Sequence, residues 1–202
     1  MKNLAVFVSG SGTNLENLAV KIETGELKHC QIELVVCDQL QALALKRAEK
    51  HHLKAFVLEN KNFPAKRDFE KAIVKKLRAH QIDYILLAGF MRILSSEFVK
   101  EFEWKIINVH PALLPKFPGA HAIEDAWKAK VKETGVTVHF VDSGIDTGPV
   151  IFQESMKVLP TDTRPSLEER IHQLEYALYP KAVQLLVDGK LSLQRGQVVA
   201  LN

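Results

Sequence analysis

Three polar residues in the second half of the chain, Asn108, His110 and Asp146, have the side-chain types needed to move an acyl or formyl group onto an amine. An asparagine N–H can stabilise the negative charge that develops on a carbonyl oxygen under attack. A histidine can exchange protons near neutral pH, and a nearby carboxylate orients the imidazole and raises its pKa by favouring the charged form. No serine or cysteine stands in a recognisable activating setting, so the residues favour direct transfer over a covalent intermediate.

The elements around these residues predict that they lie close together. Ile106–Val109 is a short apolar run that ends at His110 and Pro111, where the proline stops the ladder of a sheet. Because side chains alternate along a strand, Asn108 and His110 point to the same side. In open α/β sheets, ligands bind beyond the carboxyl ends of the strands, where a loop carries Asp146. From the residues alone, His110 as a merely structural residue before a proline remains the alternative.

The alternation of apolar runs and amphipathic stretches predicts an α/β fold with a Rossmann-like, mainly parallel sheet and helices on both faces. Two late strands are too close for a helical crossover, so we expect antiparallel strands at the C-terminal edge. The predicted strands are Leu4–Val8, Gln31–Cys37, Ala55–Leu58, Tyr84–Ala88, Ile106–Val109, Val136–Val141 and Pro149–Met156. The predicted helices are Asn14–Ile22, Ala42–His52, Pro64 to about His80, and a last helix from Ser166 to about Asp188, opened by a capping box of Ser166 and Glu169.

The loop Ser9–Asn14 joins the first predicted strand to the first helix and contains two glycines. Glycine lets the backbone approach a ligand, and a helix N-terminus offers free N–H groups to a phosphate. A dinucleotide fingerprint would need a third glycine where Leu15 stands, and the lysine of a P-loop is missing. The loop therefore favours a monophosphate, with a tight turn capped by Thr13 or Asn14 as the alternative.

Composition limits the remaining classes of function. The chain has 202 residues, 47% of them hydrophobic, and a net charge of +3 without a basic tail, so charge gives no reason to expect nucleic-acid binding. Cys30 and Cys37 are expected to be reduced thiols, and no apolar run approaches the roughly 18 residues of a membrane helix. We therefore expect a cytoplasmic protein of one domain over residues 1–202. His121 and His139 lie near the predicted site without the spacing of a metal-ligand pair, so no metal is expected.

Several motifs occur in one order along nearly the whole chain, and together they resemble those of the phosphoribosylglycinamide formyltransferases. They are Ser9–Asn14, Leu87–Leu94, Asn108–Pro115, Gly135–Asp142, Asp146–Ile151 and Glu175–Pro180. The resemblance implies transfer of the formyl group of 10-formyltetrahydrofolate to the amino group of glycinamide ribonucleotide, a step of purine synthesis. It also implies a phosphate-binding half at about residues 1–107 and a folate and catalytic half at about residues 84–190.

The resemblance assigns roles to matching positions of this sequence. Asn108 would polarise the formyl oxygen and contact the folate, His110 would transfer protons, and Asp146 would orient His110 and raise its pKa. Where the family commonly has serine, this chain has Thr13, which keeps a hydroxyl, and Ala112, which loses one. The expected contacts of the ribonucleotide are Gly12, Thr13 and Asn14 with the phosphate and Glu175 with the ribose, and those of the folate are Arg67, Met91, Arg92, Ile93 and Leu94.

Three other functions compete with this one. A methionyl-tRNA formyltransferase is expected to carry a further basic domain after the catalytic one, which a length of 202 residues does not fit. A formyltetrahydrofolate hydrolase is expected to carry a regulatory module before the catalytic domain, which a first strand at residue 4 does not fit. A nucleotide-binding regulator without catalysis would not need Asn108, His110 and Asp146 together. We therefore expect small-molecule substrates, no nucleic-acid or membrane partner, and a monomer or homodimer.

Overall fold

The computed structural model describes residues 1–194 and 196–201. The chain divides into two compact units, Met1–Ile107 and Asn108–Asn202. The boundary falls inside one strand, Ile106–His110, which begins in the first unit and ends in the second.

The first unit is built on parallel strands. They are β1 (Lys2–Val8), β2 (Cys30–Cys37), β3 (Ala55–Val57), β4 (Tyr84–Leu87) and the start of β5 (Ile106–His110), in the order β3-β2-β1-β4-β5. The central strand β1 pairs in parallel with β2 and β4, and its residues 4–8 are completely buried. A continuous apolar run is what a strand covered on both faces requires. The helices of this unit are α1 (Thr13–Glu23), α2 (Leu43–Lys50), α3 (Lys66–Ala79) and α4 (Ser96–Glu101), with a 3-10 turn at Asn60–Asn62.

The second unit continues from the end of β5, with strand order β5-β6-β7 and a separate two-stranded sheet, β8-β9. Strands β6 and β7 are antiparallel neighbours, as their short connection predicts. The elements are α5 (Ala122–Lys128), β6 (Glu133–Phe140), β7 (Val150–Lys157), α6 (Arg164–Val187), β8 (Leu191–Gln194) and β9 (Gln197–Ala200).

The predicted α/β class with a mainly parallel sheet and an antiparallel C-terminal edge is confirmed. The predicted capping box is wrong. Helix α6 starts earlier, because Pro165 fits its first turn and Thr163 is the cap: the Thr163 hydroxyl accepts from the Ser166 N–H at 3.3 Å, and the Ser166 hydroxyl accepts from the Thr163 N–H at 2.9 Å. Helices α4 and α5 and the β8-β9 hairpin were not predicted, because their segments are too short for a strong periodic signal.

No helix within the described residues is long and apolar enough to cross a membrane.

Candidate active site

The second unit brings Asn108, His110 and Asp146 together. Asn108 and His110 stand two residues apart at the end of β5, so strand alternation directs both side chains to one side. Asp146 lies in the loop between β6 and β7, with its backbone in the left-handed region at φ 53°. His110 is only 3% exposed. An amide, an imidazole and a carboxylate therefore converge at one end of the strand.

The His110 ring is held in one orientation by a backbone carbonyl. Its Nε2 lies 2.8 Å from the carbonyl oxygen of Phe117. Because a carbonyl can only accept, Nε2 carries the proton in the neutral ring, and Nδ1 is left with the lone pair. The Nδ1 atom faces Oδ2 of Asp146 at 3.5 Å. The ring is thus arranged to take up a proton on Nδ1, beside a carboxylate.

Asp146 is the centre of the cluster. Its Oδ2 accepts a hydrogen bond from the Gly119 N–H at 2.7 Å, and its Oδ1 accepts a longer one from Asn108 Nδ2 at 3.4 Å. The carboxylate therefore contacts both β5 residues as well as the segment that follows the strand.

A fourth side chain, His139, completes the cluster. Its Nδ1 donates to the Phe140 carbonyl at 2.8 Å, so in the neutral ring Nε2 can accept the hydrogen bond from Asn108 Nδ2 at 3.2 Å. Nε2 also lies 3.6 Å from Oδ1 of Asp146. His139 is not among the residues that the sequence predicts for this cluster. Its position at the end of β6, next to the loop that carries Asp146, is the signal that could have included it.

Burial and charge have opposite effects on the pKa of His110. Burial disfavours the protonated ring, while the Asp146 charge and the Phe117 carbonyl favour it. Burial dominates, so the pKa of His110 is lowered from 6.5. The Asp146 carboxylate raises the pKa of His110, as expected, but the opposite effect of burial is larger.

Asp146 remains ionised well below neutral pH. Burial would raise the pKa of its carboxyl, but the contact with His139, the hydrogen bond from the Gly119 N–H and the charges of His110 and His139 lower it to about 2.

Two local features, a side-chain carboxylate and a glycine, place the Asp146 loop. The Asp142 carboxylate accepts hydrogen bonds from the Thr147 hydroxyl at 2.7 Å and from the Gly144 N–H at 3.0 Å, which closes the turn. At Gly148 a Cβ atom would lie 1.9 Å from the Phe140 carbonyl oxygen, so only glycine fits against β6 there. Asp146 is therefore fixed from both sides of its own loop.

The segment after β5 is fixed by a buried hydroxyl. The Thr137 hydroxyl donates to the Ala112 carbonyl at 2.7 Å and accepts from the Leu114 N–H at 3.2 Å. Further along this segment lie Phe117 and Gly119, the backbone partners of His110 and Asp146. The main chain at Ala112 is anchored although the residue has no hydroxyl.

The glycine loop lies in the first unit. Gly12 is the N-cap of α1 in a left-handed conformation at φ 72°, and no side-chain hydrogen bond caps this described helix end. Thr13 and Asn14 are the first two residues of the helix, so neither is its cap. A Cβ at position 12 would lie 2.5 Å from that of Ala44, which requires glycine.

The residues expected to contact folate are also in the first unit, except Asn108. Met91 and Ile93 are exposed, Leu94 is buried, and Arg92 donates from Nε to the Asp38 carboxylate at 2.7 Å. Arg67 is exposed in the first turn of α3. Glu175, the expected ribose contact, is buried in α6 of the second unit.

Within the described residues, no group of three or more His, Cys, Asp and Glu side chains is arranged to hold a metal ion.

An α/β fold of this topology belongs to a broad class of enzymes that bind small ligands at the carboxyl ends of their strands. Residues 2–183 match the family model described as formyl transferase, and the chain belongs to this family. It is 42% identical over 187 residues to the phosphoribosylglycinamide formyltransferase of Bacillus subtilis (strain 168), covering 93% of this chain and 95% of that protein. It is 40% identical over 189 residues to the trifunctional purine biosynthetic protein adenosine-3 of Drosophila melanogaster, of which it spans only 14%.

Solved structures agree with this family. A glycinamide ribonucleotide transformylase 1 from Symbiobacterium toebii matches with a TM-score of 0.96 and 35% identity, over 100% of this chain and 95% of that one. The corresponding protein from Geobacillus kaustophilus matches with a TM-score of 0.89 and 46% identity, over 93% of this chain and 99% of that one. The resemblance drawn from the motifs is confirmed.

Proposed function

We propose that this chain transfers the formyl group of 10-formyltetrahydrofolate to the amino group of glycinamide ribonucleotide, in purine biosynthesis. The observation that carries the proposal is the convergence of Asn108, His110 and Asp146 in a member of the formyl transferase family. The 42% identity to a phosphoribosylglycinamide formyltransferase supports this choice of substrates.

In the proposed reaction, the nitrogen lone pair of the acceptor amine attacks the formyl carbon, and the carbonyl electrons move to the formyl oxygen. The Asn108 amide donates to that oxygen. Its hydrogen bond to Asp146 is long, at 3.4 Å, so this N–H can be redirected to the substrate at small cost.

His110 transfers the proton in this proposal. The lone pair on Nδ1 accepts a proton from the attacking amine, and the imidazolium that results is stabilised by Asp146 at 3.5 Å. The lowered pKa of His110 keeps the ring neutral at the start, as a base must be. When the bond between the formyl carbon and the folate nitrogen breaks, the proton passes to that nitrogen, so the active site returns to its initial charge.

The remaining contacts complete the proposal. The N-terminus of α1, with Gly12, Thr13 and Asn14, binds the phosphate of the ribonucleotide, since its N–H groups and dipole favour an anion. Glu175 contacts the ribose. The proposed contacts of the folate are Arg67, Met91, Arg92, Ile93 and Leu94 of the first unit and Asn108 of the second. We propose a cytoplasmic enzyme, monomeric or homodimeric, that acts without a metal, nucleic acid or membrane.

The test is a formyl-transfer assay with glycinamide ribonucleotide and 10-formyltetrahydrofolate. The wild type should transfer the formyl group, and His110→Asn should reduce kcat about a hundredfold or more, because a positioned acid–base group contributes at least this factor. The matched control is His52→Asn, since His52 is exposed and its positive φ of 54° suits asparagine.

Near-wild-type turnover by His110→Asn would refute its role. Dinucleotide binding without folate affinity would contradict the whole proposal, and release of formate without formylation of the amine would show a hydrolase instead.

A further inference from the structure

The segment between β4 and α4, residues 89–95, is attached to its own unit near both of its ends. The Ser9 N–H donates to the Gly89 carbonyl at 3.0 Å, and the Met91 N–H donates to the Ser9 hydroxyl oxygen at 2.9 Å. At the other end, the buried Glu70 carboxylate accepts from the Ser95 N–H at 2.8 Å and from the Ser95 hydroxyl. The middle of the segment therefore has to be fixed by its own side chains.

Side chains in the middle of this segment alternate between solvent and protein. Met91 is 59% and Ile93 is 62% exposed, whereas Leu94 is buried. Arg92, between the two exposed residues, points inward: its Nε donates to Asp38 Oδ2 at 2.7 Å, and its guanidinium lies over the Phe69 ring at 5.4 Å. Arg92 is thus the anchor of the segment, and Asp38, directly after β2, is the group that receives it.

The pair is poorly explained by stability. Asp38 is 3% exposed, and its Oδ1 is buried without a hydrogen-bond partner among the described residues. The Arg92 side chain is 33% exposed, so solvent weakens its attraction to Asp38 while the Asp38 carboxylate is still desolvated, and the unsatisfied carboxylate oxygen adds a further cost. What this pair does supply is a fixed direction for the Arg92 side chain, and this also fixes the backbone of the residues next to Arg92.

We propose that Asp38 is a positioning residue for the formyl donor: it holds Arg92, and through Arg92 it keeps residues 91–94 in the conformation that binds the folate. This rests on the proposed function, in which residues 91–94 line the folate site. Asp38 itself contacts no substrate in this assignment.

The experiment is steady-state kinetics of Asp38→Ala with both substrates varied. The KM for 10-formyltetrahydrofolate should rise about tenfold, the usual effect of losing one charge-assisted hydrogen bond. The kcat value and the KM for glycinamide ribonucleotide should stay within about twofold of the wild type, because the chemical step and the acceptor site keep their residues.

Two comparisons separate positioning from general damage. Asp83→Ala removes a carboxylate that, like that of Asp38, pairs with a cation, in this case Lys2 at 3.1 Å. Because Asp83 precedes β4 instead of following a strand, this variant should leave both KM values unchanged. In the Arg92→Ala background, Asp38→Ala should raise the folate KM no further, because Asp38 acts only through Arg92. The double variant should also keep a thermal midpoint close to that of the wild type, since it leaves no buried charge unpaired.

The outcomes also separate this inference from the proposed function. If the wild type transfers no formyl group, the proposed function fails. If it does, and Asp38→Ala leaves the folate KM unchanged or raises it equally in the Arg92→Ala background, Asp38 has no positioning role. Should Asp38→Ala not fold, Asp38→Asn keeps the shape of the side chain and must show the same selective rise in folate KM, of smaller size.

Discussion

Two aspartates of this molecule each face a basic side chain near the end of a strand, but the contacts differ in kind. In the first unit, Asp38 accepts from Arg92 Nε at a close 2.7 Å. In the second unit, Asp146 lies 3.5 Å from His110 Nδ1, and its short hydrogen bond, at 2.7 Å, comes from the backbone of Gly119. The carboxylate of Asp146 is therefore fixed by the main chain, while its contact with the imidazole stays loose.

The difference corresponds to two tasks. Arginine does not exchange protons in proteins, so the pair of Asp38 and Arg92 can only hold the Arg92 side chain in one position. Histidine can gain or lose its proton, and the looser contact with Asp146 leaves Nδ1 accessible to a substrate proton. Asp146, with a pKa of about 2, supplies a constant negative charge for that exchange. The short contact of Asp38 with Arg92 maintains the geometry of a segment, and the longer contact of Asp146 with the His110 ring permits proton transfer.

The sharpest way to break this comparison is to neutralise Asp146. Asp146→Asn keeps the size of the side chain and suits the left-handed backbone at this position, so the fold should survive. Without its charge the imidazolium loses its stabilisation, and kcat should fall on the order of a thousandfold or more, as expected when a carboxylate behind a catalytic imidazole is neutralised. Single-turnover formyl transfer measures the effect, and circular dichroism checks the fold. A loss below tenfold would show that Asp146 is as passive as Asp38.

The second prediction concerns the donor to the formyl oxygen. Asn108→Ala removes the amide that contacts both His139 and Asp146, and kcat should fall about a hundredfold, the usual effect of losing one oxyanion donor. The KM for glycinamide ribonucleotide should change little. If the variant instead raises a KM and leaves kcat unchanged, Asn108 binds substrate without stabilising the transition state.

Much of the fold that carries these pairs follows from local patterns in the sequence. The run Leu4–Val8 predicts a strand covered on both faces, and the structure buries it completely. The two-residue spacing of Asn108 and His110 predicts a shared direction, because alternation is a property of every strand. Both features depend only on neighbouring residues, so the sequence contains them.

The parts that sequence reasoning missed depend on contacts between distant segments. The lowered pKa of His110 results from burial, which no local pattern reveals. The inward side chain of Arg92 is fixed by Asp38, 54 positions earlier in the chain. His139 joins the cluster only because the end of β6 brings it to Asn108, a residue 31 positions away.

The last prediction separates the two pairs by pH. Burial lowers the pKa of His110 from 6.5, so the free enzyme keeps a neutral base below that pH. Protonation of a base abolishes its function, so kcat/KM for the acceptor should fall on the acid side with a midpoint below 6.5, after correction for the titration of the acceptor amine itself. Asp38→Ala should leave this midpoint unchanged, because in the proposed arrangement Asp38 acts on Arg92 and residues 91–94 and not on His110. Profiles of both proteins between pH 5 and 8 measure it. A midpoint at or above 6.5 would mean that the Asp146 charge outweighs burial, and a midpoint that moves in Asp38→Ala would mean that the two pairs are not independent.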